Sequence, residues 1–166
     1  EAGTTTGPDY KHGWGLVNTA KAARVMSDNS DYIEDFRIQE LTLDEGETIE
    51  IKVWKDNNDP IKATICWTDP AHDPQPEKLN DRTPMLVNDL DLRVENATQS
   101  FMPWELDPDN PSSAADKQDN DVDNVEQVEI ENPETGLYVI KISHKDNLSE
   151  SSQDFSLILS GVKSLV

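Results

Sequence analysis

The chain has 166 residues, 34% of them apolar, enough for one domain with a core and too few for two comfortable ones. Its 34 acidic against 14 basic residues leave a formal charge of -20, which repels phosphates and argues against nucleic acid and anionic membrane as partners. No apolar run is long enough to span a bilayer, and no signal peptide or lipidation motif is present, so an export signal is expected upstream of Glu1.

The first 26 residues are punctuated by Gly3, Gly7, Gly13 and Gly15 and read as a loop. Asn18 is then placed to cap a short helix through Met26, with Ala22, Val25 and Met26 on one side and Lys21 and Arg24 left for solvent. The polar stretch Ser27 to Asp31 reads as a linker.

Beyond it the apolar period changes from about 3.6 to 2, the mark of strands. A first strand is expected near Phe36 to Leu43. Ile49, Ile51 and Val53 alternate with charged residues, as do Ile61, Ala63, Ile65 and Trp67. Leu86, Leu90, Leu92 and Val94 continue the pattern, and a further strand is expected at Ser100 to Trp104. Val128 with Ile130, then Tyr138, Ile140 and Ile142, then Phe155, Leu157 and Leu159 complete about eight strands. With no helices between them, they predict an all-β sandwich or closed barrel preceded by a short N-terminal helix. The only cysteine, Cys66, lies in the apolar run Ala63 to Trp67 and is expected to be a buried, inert thiol. No intramolecular disulfide can form, which leans towards a bacterial exporter for a secreted protein.

Two connections exceed hairpin length. Asp69 to Thr83 contains Pro70, Pro74 and Pro76, with Pro84 just beyond, and Glu105 to Asn124 is rich in Asp, Asn, Pro and Ser. From Glu105 to Glu134 eleven acids face one base, Lys117, a net of -10 and half of the total charge.

Asn88-Asp89-Leu90-Asp91-Leu92 is the stretch richest in chemistry. Alternation sends Leu90 and Leu92 to the core and puts Asp89 and Asp91 together on the opposite face, their Cα atoms about 7 Å apart. Two such carboxylates repel, and a cation between them turns repulsion into a cross-link. Calcium suits this arrangement, because it takes roughly six to eight oxygens at about 2.3–2.6 Å in irregular geometry. Asp69, Asp119, Asp121, Asp123 and Asn124 are the further expected ligands. The Asp119–Asp123 run lacks the glycine and closing glutamate of an EF-hand loop. Of the tryptophans, Trp67 alternates with core residues, whereas Trp54 and Trp104 are candidates for an interface.

The run Gly7-Pro8-Asp9-Tyr10-Lys11-His12-Gly13-Trp14-Gly15-Leu16-Val17-Asn18-Thr19-Ala20 resembles the closing segment of subtilisin-like serine protease catalytic domains, where a Gly-Trp-Gly turn leads into the last surface helix. It is followed by Ile65-Cys66-Trp67-Thr68-Asp69-Pro70, Leu86-Val87-Asn88-Asp89-Leu90-Asp91-Leu92-Arg93-Val94, Asp123-Asn124-Val125-Glu126-Gln127-Val128 and Pro133-Glu134-Thr135-Gly136-Leu137-Tyr138. This succession resembles the jelly-roll domain that follows the protease domain in a group of bacterial subtilases (peptidase family S8), distantly similar to the P domain of proprotein convertases.

The resemblance implies that residues 1–30 are the last turn and helix of a catalytic domain with its linker, and that 31–166 form a C-terminal jelly-roll sandwich. It implies a secreted hydrolase as parent, with the parent's own catalytic domain as partner, protein substrate as a further partner, and a monomer. The catalytic Asp, His and Ser motifs of that family are absent from this chain, so no catalytic residue is assigned and the chain alone is not expected to be an enzyme. His12, His72 and His144 read as surface or turn residues. The rival readings are a carbohydrate- or cell-surface-binding β-sandwich and, more weakly, an adhesion module that self-associates through calcium.

Overall fold

The computed structural model describes residues 6–31, 37–79, 81–162 and 164–165. A helix, α1 (Thr19–Asp31), precedes strands β1 (Ile38–Asp44), β2 (Ile49–Lys55), β3 (Ile61–Trp67), β4 (Leu90–Glu95) and β5 (Ser100–Phe101). These are followed by β6 (Trp104–Glu105), β7 (Asp116–Lys117), β8 (Val125–Ile130), β9 (Gly136–His144), β10 (Ser152–Ser160) and β11 (Ser164–Leu165).

Side-chain alternation decides which face each strand buries. In β3, Ile61, Ala63, Ile65 and Trp67 are buried while Lys62, Thr64 and Cys66 take the outer face. Cys66 is therefore half-exposed, not buried as expected, because the alternation that sinks Ile65 and Trp67 turns the residue between them outwards. Tyr138, Ile140 and Ile142 of β9 and Phe155, Leu157 and Leu159 of β10 supply much of the remaining core. Each such side chain contributes about 1.5–3 kcal/mol by leaving water.

The strands form a four-stranded sheet in the order β1-β10-β3-β8, a five-stranded sheet in the order β11-β2-β9-β4-β5 and a two-stranded ribbon of β6 and β7. Successive strands β1, β2, β3 and β4 fall alternately in one sheet and the other, as do β8, β9 and β10. Four strands, β1-β10-β3-β8, thus face four, β2-β9-β4-β5, in the jelly-roll sandwich expected from the sequence, with β11 added at the edge of β2. Every paired strand runs antiparallel to its neighbour. One corner depends on a glycine: Gly161 has φ +77°, and a Cβ there would lie 1.9 Å from the Pro60 carbonyl oxygen.

Asn18 does cap the helix, its Oδ1 accepting the Lys21 N–H at 2.9 Å. The helix runs on to Asp31, however, so Ser27 to Asp31 is helical and not a linker. No glycine or proline interrupts that stretch, and extending a formed helix is far cheaper than starting one. Asn29 Oδ1 then accepts the N–H groups of Arg37 and Ile38 at 2.8 and 3.0 Å, tying the end of α1 to the start of β1. The strand expected near Phe36 begins at Ile38, Phe36 itself lying outside the described residues. The strand expected at Ser100 to Trp104 divides into β5 and the start of β6.

The Gly-Trp-Gly segment is a closed turn. Asp9 and Gly13 form an isolated bridge, and Asp9 Oδ1 accepts the N–H groups of Lys11 and His12 at 2.8 and 2.6 Å. Gly7, at φ +81°, lies flat on the Trp104 ring, where a Cβ would stand 2.9 Å from Cε3. Lys117 Nζ lies 4.7 Å from the Trp104 ring centroid, so the indole is buried beneath the turn and a cation.

Candidate functional site

Antiparallel pairing brings the start of β4 against the end of β9, with Leu90 opposite His144 and Asp91 opposite Ser143. Lys145, the residue after β9, donates its backbone N–H to the Asp89 carbonyl at 2.9 Å. Its Nζ lies 2.7 Å from Asp119 Oδ2, 3.0 Å from Asp89 Oδ2 and 3.5 Å from Asp91 Oδ1. Arg93 reaches the same group from the other side. Its Nη2 donates to Asp91 Oδ1 at 2.9 Å and also to Asp119 Oδ1, while Nη1 donates to the Leu92 carbonyl at 2.8 Å.

Beneath these side chains, between the two sheets, lies Glu126. Alternation along β8 puts it on the same inward face as Val128 and Ile130, and it is fully buried. β5 pairs only with Val94 and Glu95, so the edge of β4 is uncovered by a strand at Leu92. Glu126 covers it from the facing sheet, Oε2 accepting the Leu92 N–H at 2.5 Å. The Arg93 Nη1 stands 3.8 Å from Oε2, and Oε1 is buried with no hydrogen-bond partner.

The field inside this cluster is set by burial and by crowded carboxylates. Burial pushes the Glu126 carboxyl up to about 8, against the opposing pull of the Leu92 N–H and Arg93. Asp91 is raised to about 6, first by burial and then by its contact with Asp119. Burial raises Asp89 as well, with Asp119 and Asp121 adding to the effect and Lys145 resisting it. Burial acts to raise Asp119, but hydrogen bonds from Lys145, Asp91 and Arg93 hold it below the ordinary carboxylate value. Lys145 loses hydration yet is raised, because Asp119 and Asp89 bond its ammonium.

Of the seven residues expected to hold a cation, the cluster unites Asp89, Asp91 and Asp119, with Asp121 in electrostatic reach of Asp89. The others stand in the surrounding loops. Asp69 accepts the Val87 and Asn88 N–H groups on its two oxygens at 2.7 and 2.8 Å. Asp123 Oδ2 accepts Asn120 Nδ2 at 3.1 Å, and Asn124 Nδ2 donates to the Trp67 carbonyl at 2.6 Å. Among the described residues, no group of three or more His, Cys, Asp or Glu side chains is arranged to hold a metal ion, and Lys145 Nζ stands between the three carboxylates. Asp89, Asp91 and Asp119 share two cations, Arg93 and Lys145, and Asp89 Oδ1 is a buried oxygen without a hydrogen-bond partner.

Of the interface candidates, Trp54 is exposed on β2 beside β11, whereas Trp104 is buried under the Gly7 turn. Sequence reasoning did not select Glu126, Arg93, Lys145 or Asn88. Asn88 is buried and fully engaged: Nδ2 donates to Gln153 Oε1 at 2.7 Å, Oδ1 accepts the Ser149 N–H at 2.7 Å, and its carbonyl accepts Trp67 Nε1 at 3.1 Å. A signal for Glu126 was present, since it precedes Val128 and Ile130 in the same two-residue period. No protein family matches the chain, and no curated protein matches it.

Proposed function

We propose that this chain is the non-catalytic accessory part of a secreted, subtilisin-like serine endopeptidase. Residues 31–166 act as a sandwich that stabilises the catalytic domain and helps to hold protein substrate. The observation that carries this reading is the exposure of apolar residues in the ordered turn and helix that precede the sandwich: Trp14 is 52% exposed, Leu16 84%, Val17 81% and Met26 59%. An amphipathic element that its own chain leaves uncovered calls for another body to cover it, and here that body is the catalytic domain whose closing segment residues 7–20 resemble. Trp104 transmits the contact, since the turn rests on its ring through Gly7.

Calcium is the proposed cofactor. Asp89, Asp91 and Asp119 would hold it, with Asp121 nearby, once Lys145 turns outwards. Asp69, Asp123 and Asn124 fix the loops around them. Bound calcium would neutralise the surplus negative charge and cross-link β4 to the acidic connection.

The test is the parent enzyme produced with and without residues 31–166. The accessory role predicts a lower folding yield or a shorter thermal half-life for the truncated form; unchanged yield and half-life would overturn it. Retention of this chain on insoluble glycans would instead favour a carbohydrate-binding module.

A further inference from the structure

Beside Trp104, three segments meet that belong to no sheet of the sandwich: the turn of residues 6–13, the proline-rich connection 68–89 and the acidic connection 106–124. They enclose a cavity of about 550 Å³. Tyr10 comes from the turn, and Leu106, Pro108, Pro111 and Val122 from the acidic connection, making much of the lining apolar. Tyr10 and Val122 are about half-exposed. Large side chains at the mouth of a preformed cavity, at the junction of two structural units, are the usual setting of a ligand site.

Charge distinguishes this cavity from an ordinary apolar cleft. Asp81 and Asp123 line it, the first fixed by the Thr83 N–H and hydroxyl at 3.1 and 2.7 Å and the second by Asn120. Arg82 also lines it, but its guanidinium is bonded to Asp109. The carboxylates of Asp107 and Glu105 act on the same space. The Tyr10 phenol is pushed up by burial and further by Asp123, Asp107 and Glu105, with Arg82 opposing. Glu105 is raised by burial and by Asp121, Asp119, Asp107 and Asp116. An apolar wall beneath a surplus of carboxylates matches a side chain with a long methylene stem and a cationic head.

We propose that this junction pocket binds a lysine or arginine side chain of an extended peptide, the stem lying on Leu106, Pro108 and Val122 and the head facing Asp123. Such a pocket recognises basic segments of protein where the sandwich meets the turn. It is a property of this chain alone, so its failure leaves the accessory role standing, and failure of the accessory role leaves the pocket standing.

The test is a titration of the full chain, followed by amide NMR shifts, with acetyl-Gly-Lys-Gly-amide and its norleucine analogue. The pocket predicts shifts centred on Tyr10, Leu106, Val122 and Asp123 with the lysine peptide, and affinity about tenfold weaker for the uncharged analogue. Asp123→Asn and Val122→Ala should each weaken binding several-fold, whereas Asp154→Asn, on β10 and bonded to Thr42, should not. Equal affinity for both peptides, shifts scattered over the acidic surface, equal weakening by Asp154→Asn, or no shifts at all would each overturn the proposal.

Discussion

Replacing Glu126 by glutamine keeps the side chain's shape and an oxygen for the Leu92 N–H while removing the capacity to ionise. The folded protein holds the Glu126 proton up to about pH 8, whereas the unfolded chain releases it near 4.5. Between those values the folded state has more protons bound, so the stability tied to this group is complete below 4.5 and is lost as pH rises towards 8. At about 1.4 kcal/mol per unit, the 2.5 units from 4.5 to neutrality amount to about 3 kcal/mol at pH 7. Glu126→Gln should therefore match the parent near pH 4.5 and exceed it by about 3 kcal/mol at pH 7. For a chain of this length that is a rise in Tm of roughly 6–12 °C. Asp91, raised to about 6, adds a slope of the same sign in both proteins, and its charge is one of the influences that raise Glu126. The assay is urea unfolding at several pH values in chelator-containing buffer. A stability difference that is constant with pH, or a glutamine variant weaker at pH 7, would refute the reasoning and show Glu126 to be ionised and paired with Arg93.

In the native chain, chelator should lower Tm and calcium at about a hundredfold excess over Kd should restore roughly 3 kcal/mol. Asp89→Asn should abolish that response in the same calorimetric scan. Asn88→Ala strands Gln153 Oε1 and the Ser149 N–H, and chemical denaturation should report a loss of about 2–4 kcal/mol. Gly161→Ala forces a Cβ into the Pro60 carbonyl at φ +77°, and soluble yield should collapse while the neighbouring Ser160→Ala expresses normally.

The sandwich was legible because period-two alternation runs through the long strands and sets their buried faces, with Trp54, Leu137 and Ile158 as the large apolar residues left outside. Alternation also placed Asp89 and Asp91 on one face, where the structure finds them sharing Lys145. What pattern could not supply was the opposite wall of that site. Lys145 meets Asp89 only because β9 pairs with β4, and Glu126 meets Leu92 only because the sheets stack, and neither contact is local in sequence. The end of α1 was hidden for a different reason. Ser27 to Asp31 has the composition of a loop, yet the helix continues through it and Asn29 fastens its end to β1. Asp69 accepts the Val87 and Asn88 N–H groups, partners that lie across a long connection and that its charge alone does not reveal.

The most direct test of the accessory role is to read the coding sequence upstream of Glu1 in its natural gene. The account predicts an uninterrupted frame carrying the aspartate, histidine and serine motifs of a subtilisin-like catalytic domain, the body that covers Trp14, Leu16 and Val17. A frame that encodes any other kind of domain, or none, would contradict it.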